Sequence, residues 1–274
     1  MNYYTVIGSP ITHSLSPIIH QAFATQCQLS LIYTKTHISP ARFTQALPQL
    51  FAKGLIGANI TAPFKQQAFQ LAQHHTERAQ LAESVNTLLR DHEGKLKGDT
   101  TDGAGLIYDI LHHHQKTITN QVIMILGAGG STRSILTALI SEKPAGVFIA
   151  HHNLTIAQQL ANQFSHYFPI SALSLTAIAH QPCDMLINTI PTTAWLQNCI
   201  FPPTFSLANT WCYDICYGQN AQAFIQFAQH YGATQLTDGL GMLVAQAGES
   251  FYFWHGIKPQ TTEILAHTKK IVNE

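Results

Sequence analysis

VIMILGAGGSTRSILTALIS, residues 122–141, passes from five apolar residues through a glycine-rich turn into a helical pattern. Val122 to Leu126 reads as a buried strand, and Gly127-Ala128-Gly129-Gly130-Ser131-Thr132-Arg133 as the turn that opens a helix. In that setting the first glycine permits a tight turn. The second lets backbone N–H groups approach a pyrophosphate at the helix N-terminus, where the helix dipole favours an anion. The strict dinucleotide fingerprint has Gly or Ala where Thr132 stands, so the match is incomplete. The bland alternative is a tight strand-to-helix turn with no ligand.

Working outward, GVFIAHH (146–152), TIAQQLANQF (155–164), DMLINT (184–189) and TWCYDI (210–215) continue an alternation of short apolar strands and helices. That rhythm predicts a parallel sheet with helices on both faces. About 20 residues past the glycine turn, an acid would suit the ribose of NAD and an arginine the 2′-phosphate of NADP. The chain has His151-His152-Asn153-Leu154-Thr155-Ile156, with neither, so the choice of cofactor stays open at this point.

The first hundred residues differ in texture. YYTVIG (3–8) and LIYTKTHI (31–38) read as strands, GANIT (57–61) as a third, and NTLLRDHEGKLKGDTT (86–101) as a hairpin turning at Glu93-Gly94. Between them lie four helical patterns. One has Pro17 in its first turn and Ser16 as N-cap; another runs through ARFTQALPQLFAKG and stops near Gly54. A third starts at Pro63, and the fourth is ERAQLAESV. From Asp238, DGLGMLVAQAGESFYFWHG is a turn and a long apolar helix that belongs with the first hundred residues. The fold class expected is therefore α/β with two domains, an α/β substrate domain and a Rossmann-like, doubly wound parallel-sheet cofactor domain. The substrate domain spans 1–102 and is completed by 238–274; the dinucleotide-binding domain spans 103–237.

Composition narrows the function classes. A length of 274 residues suits two domains. Charged residues make up only 10%, against ~25% in ordinary domains, and 14 Lys plus Arg balance 14 Asp plus Glu. Hydrophobic content of 46% with zero net charge argues against disorder. Scattered Lys and Arg argue against a nucleic-acid partner. No apolar run reaches ~18 residues, so no membrane span is expected. MNYYTVIGSP reads as a first strand rather than a signal peptide. Cys27, Cys183, Cys199, Cys212 and Cys216 are odd in number without a C-x-x-C, which reads as free thiols in a reducing cytoplasm. The 16 histidines lack H-E-x-x-H or acidic and thiol partners at ligand spacing, so no metal is expected and most read as solvated. They do predict solubility and stability that change between about pH 7 and 5.

Four stretches in the first half gather hydroxyls, amides and a lone charge in loops. They are Ser14-Leu15-Ser16, Asn59-Ile60-Thr61 with Lys65 four residues on, Val85-Asn86-Thr87, and Gly98-Asp99-Thr100-Thr101-Asp102-Gly103. Each has a bland reading on its own: Ser16 and Asp102 as helix starts, Asn86 bonding its own backbone.

Taken together, S-L-S-P at 14–17, G-A-N-I-T-x-P-F-K at 57–65, V-N-T at 85–87, G-D-x-T-D-G at 98–103, G-A-G-G at 127–130 and D-G-L-G-M-L-V-x-Q at 238–246 resemble the shikimate/quinate dehydrogenase family. The likeness runs over essentially the full length and is closest to the shikimate dehydrogenases. It implies reversible reduction of 3-dehydroshikimate to shikimate by a nicotinamide dinucleotide, in aromatic amino-acid biosynthesis. It implies Lys65 and Asp102 as the catalytic pair. Ser14, Ser16, Thr61, Asn86, Tyr217 and Gln246 would hold the substrate. Gly127, Ala128, Gly129, Gly130, Ser131, His151, His152, Asn153 and Gly239 would hold the cofactor, NADP with NAD as the alternative. The residue types suit the chemistry, because hydride transfer at a carbinol needs a proton to leave or arrive at its oxygen, and a lysine within reach can carry it. A cleft between the domains would hold the reacting centre, and closure would exclude water. The enzyme is expected to be cytoplasmic, a monomer or homodimer, with a small-molecule substrate as its partner.

Departures from the family pattern fall on the cofactor side. Its NADP-type members carry N-R-T-x-x-R where His151 to Ile156 stand, and the later N-A-T-x-x-G loop is here Asn188-Thr189-Ile190-Pro191-Thr192-Thr193. Arg133, at the start of the nucleotide helix, would either compensate by reaching a phosphate or be a partly exposed helix arginine. The missing arginines keep a rival open, an NAD-dependent quinate/shikimate dehydrogenase. The altered loops keep open a non-catalytic dinucleotide-binding relative.

Overall fold

The protein was analysed as a computed structural model, whose described residues are 2–175, 177–178, 181–191 and 204–273. Cys199, Thr192 and Thr193 lie outside them. The chain divides into two compact units, residues 1–105 with 244–272 and residues 106–243.

In the first unit a six-stranded sheet has the order β2-β1-β3-β5-β6-β4. Its strands are β1 (Asn2–Gly8), β2 (Leu31–His37), β3 (Leu55–Ile60), β4 (His74–His75), β5 (Thr87–Arg90) and β6 (Leu96–Asp99). β1 pairs parallel with β2 and β3, whereas β5 runs antiparallel to β3 and β6. The 91–95 turn makes β5 and β6 the expected hairpin, with Asp91 Oδ1 accepting from the N–H of Glu93 and of Lys95. Helices α1 (Ser16–Gln26), α2 (Phe43–Ala52), α3 (Lys65–Leu71) and α4 (Glu77–Ala82) connect the strands. Phe43, Leu47 and Phe51 of α2 recur at helical spacing and are buried with Ile60, Phe64 and Leu88 in one core.

Three local expectations change. Leu15, not Ser16, holds the N-cap position of α1; Ser16 is its first residue, and its N–H donates to Ser14 Oγ at 3.3 Å. The serine two residues earlier thus supplies the acceptor that an N-cap side chain would. α3 starts at Lys65 rather than Pro63. α4 stops at Ala82 because Glu83 turns left-handed at φ 49°, which frees Val85 and Asn86 for the loop before β5.

The second unit holds a six-stranded, all-parallel sheet of order β12-β11-β10-β7-β8-β9. The strands are β7 (Val122–Leu126), β8 (Gly146–Ala150), β9 (Ile170–Leu173), β10 (Met185–Asn188), β11 (Trp211–Asp214) and β12 (Gln235–Thr237). The order reverses between β7 and β10, and in open parallel sheets such a reversal opens the ligand crevice at the strands' C-terminal ends. β7 and β10 are almost wholly buried, which explains their uninterrupted apolar sequences. The helices are α6 (Gly130–Glu142), α7 (Leu154–Phe164) and α8 (Gln222–His230). α5 (Asp102–Tyr108) and α9 (Leu240–His255) each run through a unit boundary, and α10 (Thr261–Asn273) ends the chain. Beyond Tyr108 the helical chain widens into a π-helix at Asp109–His113. There the buried Asp109 carboxylate accepts from Tyr213 Oη and lies 2.6 Å from His113 Nδ1.

Among the described residues no helix is long and apolar enough to cross a membrane, and no group of three or more His, Cys, Asp or Glu is placed to hold a metal ion. Among the described residues one histidine is fully buried rather than solvated: His20, stacked on Tyr33 with ring centroids 4.4 Å apart.

Candidate functional site

In the first unit, the loops after β3 and β6 and the loop before β5 converge on a buried polar cluster. Lys65, the first residue of α3, donates from Nζ to Asp102 Oδ2, the two side chains being only 13% and 9% exposed. Asp102 in turn is the first residue of α5. Its other oxygen accepts from Asn86 Nδ2 at 2.8 Å, so the carboxylate is held from both sides. Asn86 Oδ1 accepts from the Thr101 backbone N–H at 2.8 Å and from Thr87 Oγ1 at 3.0 Å. Its Nδ2 also lies 2.9 Å from Thr101 Oγ1 and 3.3 Å from Gln246 Oε1. One asparagine therefore fixes the lysine's partner, the loop before α5 and the glutamine of α9.

Ser14 Oγ donates to Ser16 Oγ at 3.1 Å. Thr61 follows β3, half-buried, with its N–H on Ile7 O at 2.9 Å. Of the predicted substrate and catalytic residues, all but Tyr217 thus lie in one unit: Lys65 and Asp102, with Ser14, Ser16, Thr61 and Asn86 on its loops and helix starts and Gln246 on α9. Tyr217 follows β11 in the second unit, half-buried at the start of a short 3-10 turn.

Ser250 and Arg78 were not singled out from sequence, and Asn59 and Asp99 stood there only as members of their stretches. Ser250 Oγ sits 2.7 Å from Thr87 Oγ1 and 3.2 Å from Thr101 Oγ1, and donates to Gln246 O at 3.1 Å. Its signal was available: four residues after Gln246 on a helix is the same face. Asn59 Nδ2 donates to Ser250 Oγ at 3.0 Å and Asn59 Oδ1 accepts from Tyr33 Oη at 2.6 Å. Arg78 donates to both oxygens of Asp99, from Nε at 2.7 Å to Oδ1 and from Nη2 to Oδ2. Burial pushes the Asp99 carboxyl up, but the Arg78 guanidinium, the Thr76 hydroxyl and the Thr100 N–H together hold it below its ordinary value. Asp99 O accepts from Asn86 N–H at 3.0 Å, which links this ion pair to the cluster.

Gly105 sets how closely α5 approaches α9. A Cβ there would lie 2.6 Å from Gln246 Cβ and 2.7 Å from its backbone N. Gly105→Ala is expected to destabilise the protein by about 1–2 kcal/mol, because overpacking against backbone outweighs the ~1 kcal/mol gain in helix propensity. Urea unfolding at constant m-value measures it, and a stabilised variant would contradict the close approach.

In the second unit Gly127 takes φ +110°, and a Cβ on it would meet Thr189 Oγ1 at 2.3 Å. Gly129 is the N-cap of α6, with no side-chain cap, and a Cβ built on it meets nothing within 4 Å. Gly127-Ala128-Gly129-Gly130-Ser131 thus leaves room in front of a helix N-terminus, the cradle that a dinucleotide pyrophosphate fits. Thr132, the departure from the fingerprint, is fully buried with its hydroxyl 2.8 Å from that of Thr189, which itself donates to Leu126 O. A hydroxyl pair therefore replaces the close contact a glycine would make. Asn188 Nδ2 donates to Asp214 Oδ1 at 3.0 Å, and Asp214 Oδ1 accepts from Cys216 N–H at 2.9 Å, tying the ends of β10 and β11. Burial raises the Asp214 carboxyl to about 7.

His151, His152 and Asn153 follow β8, and Asn153 Oδ1 caps α7 through the N–H groups of Thr155 and Ile156. Arg133 donates from Nη1 to Gln163 of α7 at 2.9 Å. Gly239 packs against Ile215, whose carbonyl oxygen would lie 2.2 Å from an added Cβ.

Burial, then the neighbouring His255, lowers His20 from 6.5 to about 3. Unfolding at pH below 6.5 thus takes up a proton at His20, so its contribution to stability is present above pH 6.5 and is lost as pH falls toward 3. Asp214 has the opposite sign: raised in the fold, it favours stability at low pH and weakens it as pH rises from 3.8 to about 7. The two slopes oppose each other in the wild type, so a variant must separate them. His20→Phe is expected to make the pH slope of stability more negative by about 1.4 kcal/mol per pH unit between about pH 4 and 6. An unchanged slope in urea unfolding across that range would contradict it.

Two family models match the chain: the shikimate dehydrogenase substrate binding domain over residues 6–88 and the shikimate 5′-dehydrogenase C-terminal domain over residues 239–267. The shikimate dehydrogenase (NADP(+)) of Vibrio cholerae serotype O1 is 40% identical over 273 residues, 98% of this chain and 96% of that protein. Among solved structures, the Ael1 enzyme of Pseudomonas putida superposes with a TM-score of 0.84 at 32% identity, covering 97% of this chain and 98% of that one. A shikimate 5-dehydrogenase from Thermus thermophilus, solved with NADP(H) and shikimate, gives a TM-score of 0.83 at 24% identity, covering 98% and 99%; at that identity the likeness speaks for the fold.

Proposed function

The chain belongs to the shikimate dehydrogenase family, and from that premise we propose that it reversibly reduces 3-dehydroshikimate to shikimate with NADPH. It is then an oxidoreductase of the shikimate pathway acting on a CH–OH group. The observation that carries this reading is the Lys65–Asp102 pair, partly buried and held by Asn86. In the direction of reduction, 3-dehydroshikimate, NADPH and a proton give shikimate and NADP+. When bound, the nicotinamide cofactor would supply the hydride for this reduction.

The protein's own part is the proton and the positioning. The Lys65 ammonium delivers a proton to the carbonyl oxygen as it becomes the hydroxyl, and takes one back in oxidation. Asp102 is fixed by Asn86, so it orients Lys65 and accepts from the substrate hydroxyl. The hydroxyls of Ser14, Ser16 and Thr61 and the amides of Asn86 and Gln246 match the carboxylate and polyol of shikimate. We assign Tyr217 to the substrate as well. The glycine turn at 127–130, with Ser131, takes the pyrophosphate, His151 to Asn153 the adenosine ribose, and Gly239 the nicotinamide side.

One observation favours a second reading, an NAD-dependent quinate/shikimate dehydrogenase: residues 151–156 carry no fixed positive charge. A non-catalytic relative is opposed by the intact Lys65–Asp102 pair. The thiols of Cys27, Cys183, Cys212 and Cys216 are free, which supports a reducing cytoplasm for the enzyme, as a monomer or homodimer. The test is stoichiometric: purified protein with 3-dehydroshikimate and NADPH should form one shikimate per NADPH consumed. Consumption without shikimate, or none at all, would reject the assignment.

A further inference from the structure

Asn86 can hold Asp102 only while its amide sits one way round, with the oxygen turned from the carboxylate and the nitrogen toward it. A directed run of buried hydrogen bonds in the first unit sets that orientation. It starts at Tyr33, whose Oη donates to Asn59 Oδ1 at 2.6 Å. That bond fixes which end of the Asn59 amide is the acceptor. Asn59 Nδ2 therefore faces Ser250 Oγ at 3.0 Å, and Thr87 Oγ1 and Asn86 O, both at 3.2 Å. Thr87 Oγ1, which accepts from Asn59, gives its own proton to Asn86 Oδ1 at 3.0 Å. Asn86 Oδ1 then has two donors, the Thr87 hydroxyl and the Thr101 N–H, and Asn86 Nδ2 is left to Asp102 Oδ1.

Every link is closed off from water. Tyr33, Asn59, Thr87, Asn86 and Ser250 are all buried, so a donor or acceptor removed from the run has no solvent to replace it. Burial pushes the Tyr33 phenol well above its ordinary value, which keeps it a neutral O–H donor at any working pH. Its ring lies flat on His20, the planes 5° apart. Tyr33 lies within β2 and Thr87 opens β5, so strands rather than loops fix the two hydroxyls.

We propose that Tyr33 and Thr87 are positioning residues of the reaction: through Asn59 and Asn86 their hydroxyls orient the amide that holds Asp102 beside Lys65. They act on the rate through the catalytic pair, since a small misplacement of a catalytic group is enough to slow the chemical step.

The inference rests on the proposed oxidation and reduction of shikimate and 3-dehydroshikimate, and steady-state kinetics with shikimate and NADP+ separates the two. Tyr33→Phe keeps the ring and its stack on His20, and should lower kcat about tenfold while KM for shikimate changes no more than about threefold. Thr87→Val, nearly the same in shape, should do the same, and Thr87→Ser, which keeps the hydroxyl, should restore kcat to within about twofold of wild type. Because both residues act on Asn86, kcat of Tyr33→Phe/Thr87→Val should stay within about threefold of the slower single variant instead of falling by the product. Single variants with wild-type kcat, a Thr87→Ser enzyme as slow as Thr87→Val, or single losses that multiply in the double variant would each overturn the proposal. A wild type that turns over no shikimate would instead reject the proposed reaction.

Discussion

Lys65→Ala is expected to lower kcat by about 10²–10⁴-fold in both directions while changing KM for shikimate only a few-fold. That range corresponds to about 2.7–5.4 kcal/mol of transition-state stabilisation, the scale of a positioned proton donor rather than of one more binding contact. The fold should survive, because Asn86 still donates to Asp102 in the variant and Lys65 heads a short helix at the edge of the cluster. Lys65→Arg should not restore the rate, since a planar guanidinium neither reaches as a point donor nor releases its proton. If kcat stayed near wild type and KM rose instead, Lys65 would bind substrate uniformly and the proton would come from elsewhere.

Arg78→Ala carries the largest effect expected on stability, about 3 kcal/mol. Asp99 is 1% exposed, so removing the guanidinium leaves a buried carboxylate with the Thr76 hydroxyl and the Thr100 N–H but no countercharge. The double variant Arg78→Ala/Asp99→Asn should recover part of the loss, because the neutral amide has no charge to strand; a double-mutant cycle in urea reads the coupling. The sign with pH follows from the depressed carboxyl. The pair's contribution is present above the ordinary Asp value and is lost as pH falls through the lower folded one. A loss under about 0.5 kcal/mol would place the pair with ordinary exposed ion pairs. Because Asn86 N–H rests on Asp99 O, the variant should also lower activity, by loosening the asparagine that holds Asp102.

The parallel sheet was legible in the sequence because its central strands are buried on both faces and their apolar runs are bounded by turns. Lys65, Asn86 and Asp102 were legible as parts of motifs, and the structure brings them into one hydrogen-bonded set. What the motifs left out is the packing behind them. Arg78 looked like any charge on a short helix, and only the chain's return through β6 sets it against Asp99. Asn59 and Ser250 are 191 positions apart and meet by tertiary contact. His20 sits between Ile19 and Phe23 on the buried face of α1, so its neighbours carried the signal that counting histidines obscured. The N-cap assigned to Ser16 failed for a local reason, since Ser14 provides that acceptor from outside the helix.

Oxidation of shikimate and reduction of 3-dehydroshikimate with NADP(H) are tested by four kcat/KM values, for shikimate and quinate each with NADP+ and NAD+, at one pH near neutrality. The highest value is expected for shikimate with NADP+, with quinate poor under either cofactor. A dominant value for quinate with NAD+ would contradict the account.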